Sequence, residues 1–123
     1  MSKIKKFEDL IAWQKARELT RIIYYVTKQE AFAKDFGLSG QIQRAVVSIM
    51  SNISEGFERG SPKQFSHFLT LAKGSCAEVR SQNYIALDIG YLTNIQFLEI
   101  SSRTDEISKI IQGLRASIYK QNF

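Results

Sequence analysis

The sequence predicts an all-α protein, an antiparallel up-down-up-down four-helix bundle, and three observations lead there. One proline and seven glycines in 123 residues are too few for an all-β chain, which needs a turn signal every ~8–12 residues. Apolar residues recur at three- and four-residue spacing through four long segments, the period of a helix. Only three short stretches interrupt that period, 33–39 with Gly37, 56–62 with Gly60 and Pro62, and 90–93 with Gly90. Links this short make successive helices antiparallel neighbours.

The helices are expected near 9–29, 39–57, 62–89 and 94–120, within one domain spanning 1–123. In the first, Ala12, Ala16, Leu19, Ile23 and Val26 form the core stripe, with Asp9 as the cap. The second offers Ile42, Val46, Ile49, Ile53 and Phe57, with Ser39 as the cap. The third starts at Ser61-Pro62-Lys63-Gln64, which places a hydroxyl at the N-cap, proline at the first helical position and glutamine three residues after the cap. Its stripe is Phe65, Phe68, Leu69, Ala72, Cys76, Val79 and Ala86, interrupted by Asn83. At 1.5 Å per residue this helix is about 42 Å long, which calls for an elongated bundle. Thr93-Asn94-Ile95-Gln96 repeats the capping box, and Ile100, Thr104, Ile107, Ile111, Leu114 and Ile118 supply a coiled-coil-like seam.

Lys and Arg number 17 against 12 Asp and Glu, for a net charge of +5, and 44% of residues are hydrophobic. This is an ordinary globular composition tilted towards basic. One cysteine permits neither an internal disulfide nor a cysteine zinc site, and one histidine weakens triad and metal readings, so no cofactor is expected. No apolar run approaches membrane-spanning length. The basic start is followed by Glu8 and Asp9 rather than an apolar run, so the expected location is cytoplasmic. No catalytic constellation emerges. His67 and Cys76 fall on opposite sides of one helix, Cys76 lies in a core stripe where a free thiol is mostly a small hydrophobe, and Glu55 and Glu58 beside Arg59 fit surface ion pairing.

Two features exceed what a bundle requires. Adding Ala45, Val47 and Met50 widens the apolar arc of the second helix to roughly 200°, while Leu71, Ile85 and Ile89 stand about 120° from the core stripe of the third, and Ile11, Ile22 and Tyr25 do likewise on the first. Scattered surface apolar residues are one reading; a protein partner, most economically a second copy, is the other. Val47, Met50, Leu71, Ile85 and Ile89 are the candidate subunit interface. The second feature is a basic stripe: Arg17, Arg21, Tyr24 and Lys28 lie opposite the core stripe of the first helix, preceded by Lys3, Lys5 and Lys6. Residues 1–30 hold seven of the 17 basic residues against four acids. The stripe is either a solvated face or a surface that binds nucleic-acid backbone. Lys73, Arg80 and Tyr84 form a weaker cluster on the third helix.

Phe7-Glu8-Asp9-Leu10, Ala12-Trp13-Gln14, Phe36-Gly37-Leu38, Gln41-Ile42-Gln43-Arg44-Ala45, Ser48-Ile49 and Asn52-Ile53-Ser54-Glu55-Gly56 together resemble the signature of the 23S rRNA intervening-sequence proteins. The likeness continues through Arg59, Ser61, Phe65, Phe68-Leu69, Ala72-Lys73-Gly74-Ser75, Glu78 and Gly90-Tyr91-Leu92. It implies a bacterial four-helix bundle that forms a homo-oligomer, with a homopentameric ring favoured, and no established enzymatic activity. A similar bundle is the accessory protein of diversity-generating retroelements, which binds a reverse transcriptase, so the resemblance admits RNA, DNA or a reverse transcriptase as partners. The Arg44, Ser48, Asn52, Glu55 and Arg59 face belongs to the recurring motif. It is either a hydrogen-bond network at a helix or subunit seam or a binding surface. The leading expectation is a non-enzymatic nucleic-acid accessory or scaffold; the alternative is a protein-interaction adaptor without nucleic-acid contact.

Overall fold

The three longest helices begin where a side chain accepts a hydrogen bond from a first-turn amide. The computed structural model describes the backbone of residues 4–121 and side chains through Ile118. A 3-10 turn, Phe7–Asp9, precedes α1 (Ile11–Val26), a short α2 (Glu30–Lys34), α3 (Phe36–Glu58), α4 (Pro62–Ile89) and α5 (Asn94–Gln121). Thr93 accepts from the Gln96 amide at 3.1 Å while its own N–H donates to Gln96 Oε1 at 3.0 Å, a closed capping box. Ser61 accepts from the Gln64 amide at 3.2 Å. Gly90 ends α4 at φ 95°, and the Tyr91 amide donates back to Ala86 O at 2.9 Å, a left-handed stop that favours glycine.

Paired contacts fix the topology. On one side of α1, Thr20 donates to Met50 Sδ and Gln43 to Thr27 Oγ1, so α3 runs antiparallel beside it. On the other, Arg103 bonds Glu18 at 3.0 Å and Lys15 meets Glu106 at 3.7 Å, which sets α5 antiparallel to α1. Ser75 donates to Ser48 Oγ at 2.9 Å between α4 and α3, and Asn83 to Phe97 O at 3.0 Å between α4 and α5. The four long helices therefore form a ring in the order α1, α3, α4, α5, with α1 diagonal to α4. One core of apolar side chains from all of them runs along the middle, and Leu19, Ile23, Ile42, Ile49, Leu69, Ile100, Ile107 and Ile111 are sealed from solvent.

The observed boundaries correct the expected ones at the amino-terminal half. The first helix does not span 9–29: Leu10 is extended at φ −74°, ψ 127°, which buries its side chain and separates the Phe7–Asp9 turn from α1, so Asp9 is no cap. Stretch 33–39 is not a loop. Residues 30–34 form α2, whose Phe32 is buried and stacks on Tyr91 with centroids 5.0 Å apart. Asp35, not Ser39, caps α3. Its carboxylate accepts from the Leu38 amide at 3.1 Å and from the Tyr91 hydroxyl at 2.8 Å, joining the α2–α3 junction to the α4–α5 turn.

Candidate nucleic-acid interface

The helical period places Arg17, Arg21 and Tyr24 on the side of α1 opposite Ala16, Leu19 and Ile23, and all three are exposed. Lys28, also exposed, lies beyond the helix end in a turn where its amide bonds Tyr25 O at 3.3 Å, so the stripe runs off the helix. Lys5 and Lys6 are exposed as well; Lys3 lies outside the described residues. The leading segment is pinned onto α1 by Phe7 packed edge-on against Trp13 at 5.3 Å and by Gln14 Nε2 donating to Glu8 O at 2.9 Å.

Charge pairing divides the cations into two groups. Lys15, Arg59, Arg103 and Lys109 have carboxylate partners within 3.7 Å. Arg17, Arg21 and Lys28 have none among the described residues. The Arg17 guanidinium instead lies 5.8 Å from the Trp13 ring centroid, a cation–π contact at the outer edge of its range. Glu8, Trp13, Gln14, Arg17, Glu18 and Arg21 line a shallow groove of about 400 Å³. Glu18 is engaged by Arg103 across the α1–α5 seam, whereas Glu8 remains an acidic edge. Trp13 and Gln14 complete this face and were not in the sequence-derived stripe; their signal was the turn before α1, which the period of the helix does not register.

The polar face of α3 divides into three parts. Asn52 Nδ2 donates to both Ser48 O at 2.9 Å and Ser48 Oγ at 3.0 Å, and Ser75 donates to Ser48 Oγ. Ser48 and Asn52 thus belong to a hydrogen-bond network in the α3–α4 seam. Glu55 pairs with Arg59 at 2.7 Å, and Arg59 lies 5.0 Å from the Phe68 ring centroid. Arg44 is exposed and makes no ion pair among the described residues; with Gln41, Ala45, Ser48, Glu78 and Gln82 it lines a second groove of about 480 Å³.

The candidate interface residues do not converge on one patch. Met50 is half-buried under Thr20 in the α1–α3 seam, which removes it from any outward face, and Val47 sits on that same flank of α3. Leu71, Ile85 and Ile89, 43%, 44% and 55% exposed, share the α3-facing flank of α4 on the far side of Arg44 and Ser48. Exposed Phe36, Ile95 and Leu98 lie, like Ile89, at the end where α3 and α5 start, spread over three helices.

Little here points to chemistry. Burial pushes the Cys76 thiol up to about 12, against the opposing fields of Lys73 and Arg80, so it is a protonated core residue and no nucleophile. His67 is exposed with its ring 5.5 Å from that of Phe68. The described residues contain no cluster of three His, Cys, Asp or Glu that could hold a metal, and no helix among them is long and apolar enough to cross a membrane.

A family model for the 23S rRNA-intervening sequence protein matches residues 8–113, which takes in the groove on α1, the whole α3 motif and both long hairpin helices down to Gly113. The chain belongs to the 23S rRNA-intervening sequence protein family. The chain is also similar to a solved structure, a protein of unknown function from the S23 ribosomal protein family of Bacteroides thetaiotaomicron, at a TM-score of 0.78 and 25% identity over 85% of this chain and 98% of that one. No curated protein matches it. The neighbour shares the helical fold, and neither it nor the family comes with an assigned activity.

Proposed function

We propose that this intervening-sequence protein is a non-enzymatic accessory or scaffold protein that holds RNA or DNA backbone against the outer face of α1. The observation that carries the reading is the set of exposed, carboxylate-free cations Arg17, Arg21 and Lys28 on one face, with Trp13 and Tyr24 among them. Unpaired cations are free to neutralise phosphates and release the counterions condensed on a polyanion, whereas paired ones must first leave a carboxylate. Aromatic rings beside them offer stacking surface to unpaired bases. Self-association multiplies the effect, since several copies of a weak face engage one strand with avidity. The exposed Leu71, Ile85 and Ile89 flank of α4 supports that association, and the family resemblance favours a homopentamer.

The test is fluorescence anisotropy with a labelled single-stranded RNA at low salt, alongside sedimentation equilibrium. The wild type is expected to bind, and Arg17→Ala with Arg21→Ala to bind much more weakly at unchanged oligomer mass. Equal binding by the two proteins removes the α1 face from function. A second reading, a protein-interaction adaptor for a reverse transcriptase or another protein, is favoured by the exposed apolar residues Phe36, Ile89, Ile95 and Leu98 at one end of the bundle; it takes over if no nucleic acid is retained.

A further inference from the structure

Across the seam between α4 and α5, two cations converge on one neutral atom. Lys73 Nζ and Arg115 Nη1 both donate to Gln112 Oε1, at 3.1 and 3.2 Å. Neither cation has a carboxylate partner among the described residues. Arg115 Nε is buried yet makes no hydrogen bond. An amide oxygen has lone pairs for two donors but no charge to offset two cations held side by side. The buried Nε–H is a donor taken out of water without return, which is costly to leave unmade. Arg80 follows Lys73 by two turns on the same face of α4, is exposed and is equally without a partner. Charge, donor geometry and an orphaned donor all call for the same occupant, an oxyanion.

We propose that Lys73 and Arg115, held on Gln112 across the α4–α5 seam, form an anion site that takes a phosphate group. A phosphate oxygen replaces Gln112 Oε1 as the shared acceptor, and a second oxygen meets the Arg115 fork, whose planar donors suit a tetrahedral oxyanion bidentately. No covalent step is involved. The site lies on the flank of α5 away from α1, so it is separate from the α1 face and does not depend on it. The phosphate group belongs either to a nucleic-acid backbone or to free phosphate, and the chemistry of recognition is the same for both.

The test measures the thermal midpoint of the full chain in inorganic phosphate and in chloride at equal ionic strength. The midpoint is expected to rise in phosphate for the wild type and for Arg17→Ala with Arg21→Ala, and the rise to shrink to a small residue in Lys73→Gln with Arg115→Gln. Phosphate also stabilises proteins as an excluded salt; an equal rise in all three proteins is that effect alone and overturns the site. Gln112→Glu guards against a misfolded double variant. It supplies the missing negative charge, so it is expected to melt at or above the wild type in chloride and to lose the phosphate response. A retained response in Gln112→Glu overturns the proposal. A second arm titrates a short single-stranded DNA. If Lys73→Gln with Arg115→Gln lowers its log-log salt slope by about 0.7, the one phosphate that the site holds, the source is nucleic-acid backbone. An unchanged slope beside a positive phosphate arm makes free phosphate the ligand. If the wild type binds no DNA while the phosphate arm holds, the α1 reading fails and this site stands.

Discussion

Gly56→Ala sets helix propensity against packing, and the structure decides between them. Alanine in a helix interior is better than glycine by about 1 kcal/mol, so sequence alone predicts stabilisation. Gly56 is buried where α3 crosses α4, and a Cβ there would come within 2.6 Å of Phe68 Cβ and 3.2 Å of Phe65 Cδ1. The Phe68 Cβ is attached to the backbone and cannot swing away, so relief requires the two helices to separate. Overpacking of this kind costs roughly 1–3 kcal/mol, leaving a net loss of up to about 2 kcal/mol after the propensity gain. At roughly 4 °C per kcal/mol for a chain of this length, that lowers Tm by up to about 8 °C. The control is Gly74→Ala, in the middle of α4, where the added Cβ meets nothing within 4 Å and the propensity gain stands alone. Thermal circular dichroism at one protein concentration compares the three. A Gly56→Ala protein melting above the wild type, as the control does, would show that α3 and α4 do not approach as closely as described.

Ile107→Asp places an unpaired carboxylate in a fully buried seam and costs several kcal/mol against a typical total of about 5–15; loss of the cooperative melt is expected, and a melt near the wild-type temperature would refute the seam. Thr93→Ala opens the capping box of α5 and is expected to cost about 1 kcal/mol, read from urea midpoints. Asp35 is held below the usual carboxylate range, first by the Leu38 amide and then by the Tyr91 hydroxyl. Its contribution is therefore present above the ordinary carboxylate pKa and fades as pH falls through the lowered folded value. In Tyr91→Phe the Asp35 titration, followed by carbon-13 NMR, should move up towards the ordinary value yet stay below it, because the Leu38 bond remains; no movement would mean that the hydroxyl does not reach the carboxylate.

The core was legible because burial follows a period that the sequence displays openly. Every member of the first stripe, from Ala12 to Val26, is buried, as are Ile100, Thr104, Ile107 and Ile111 on α5. Asn83 sits in the α4 stripe at the place its spacing implied and is tied to Phe97 O. What escaped was set by tertiary contact. Gly37 read as a breaker, but with Asp35 capping from outside it is tolerated in the first turn of α3, and α2 exists because Phe32 finds Tyr91. The α1 cations were visible as a stripe, whereas their lack of partners depends on Arg103 claiming Glu18. Lys73 and Gln112 are 39 residues apart; a signal was present, since both are nearly equidistant from the turn at 90–93, but Arg115 joins them only once α5 is rotated to bury Ile111 and Ile118.

The most direct measurement of the central claim is the salt dependence of single-stranded RNA binding by the wild type and by Arg17→Ala with Arg21→Ala. The account predicts a steep, largely sequence-independent log-log dependence in the wild type, about −0.7 per phosphate neutralised. In the double variant the slope should be flatter by roughly 1.4 for each copy of the face engaged, with helicity and oligomer mass unchanged. Superimposable slopes for the two proteins, or no retention of RNA by the wild type at low salt, would contradict it.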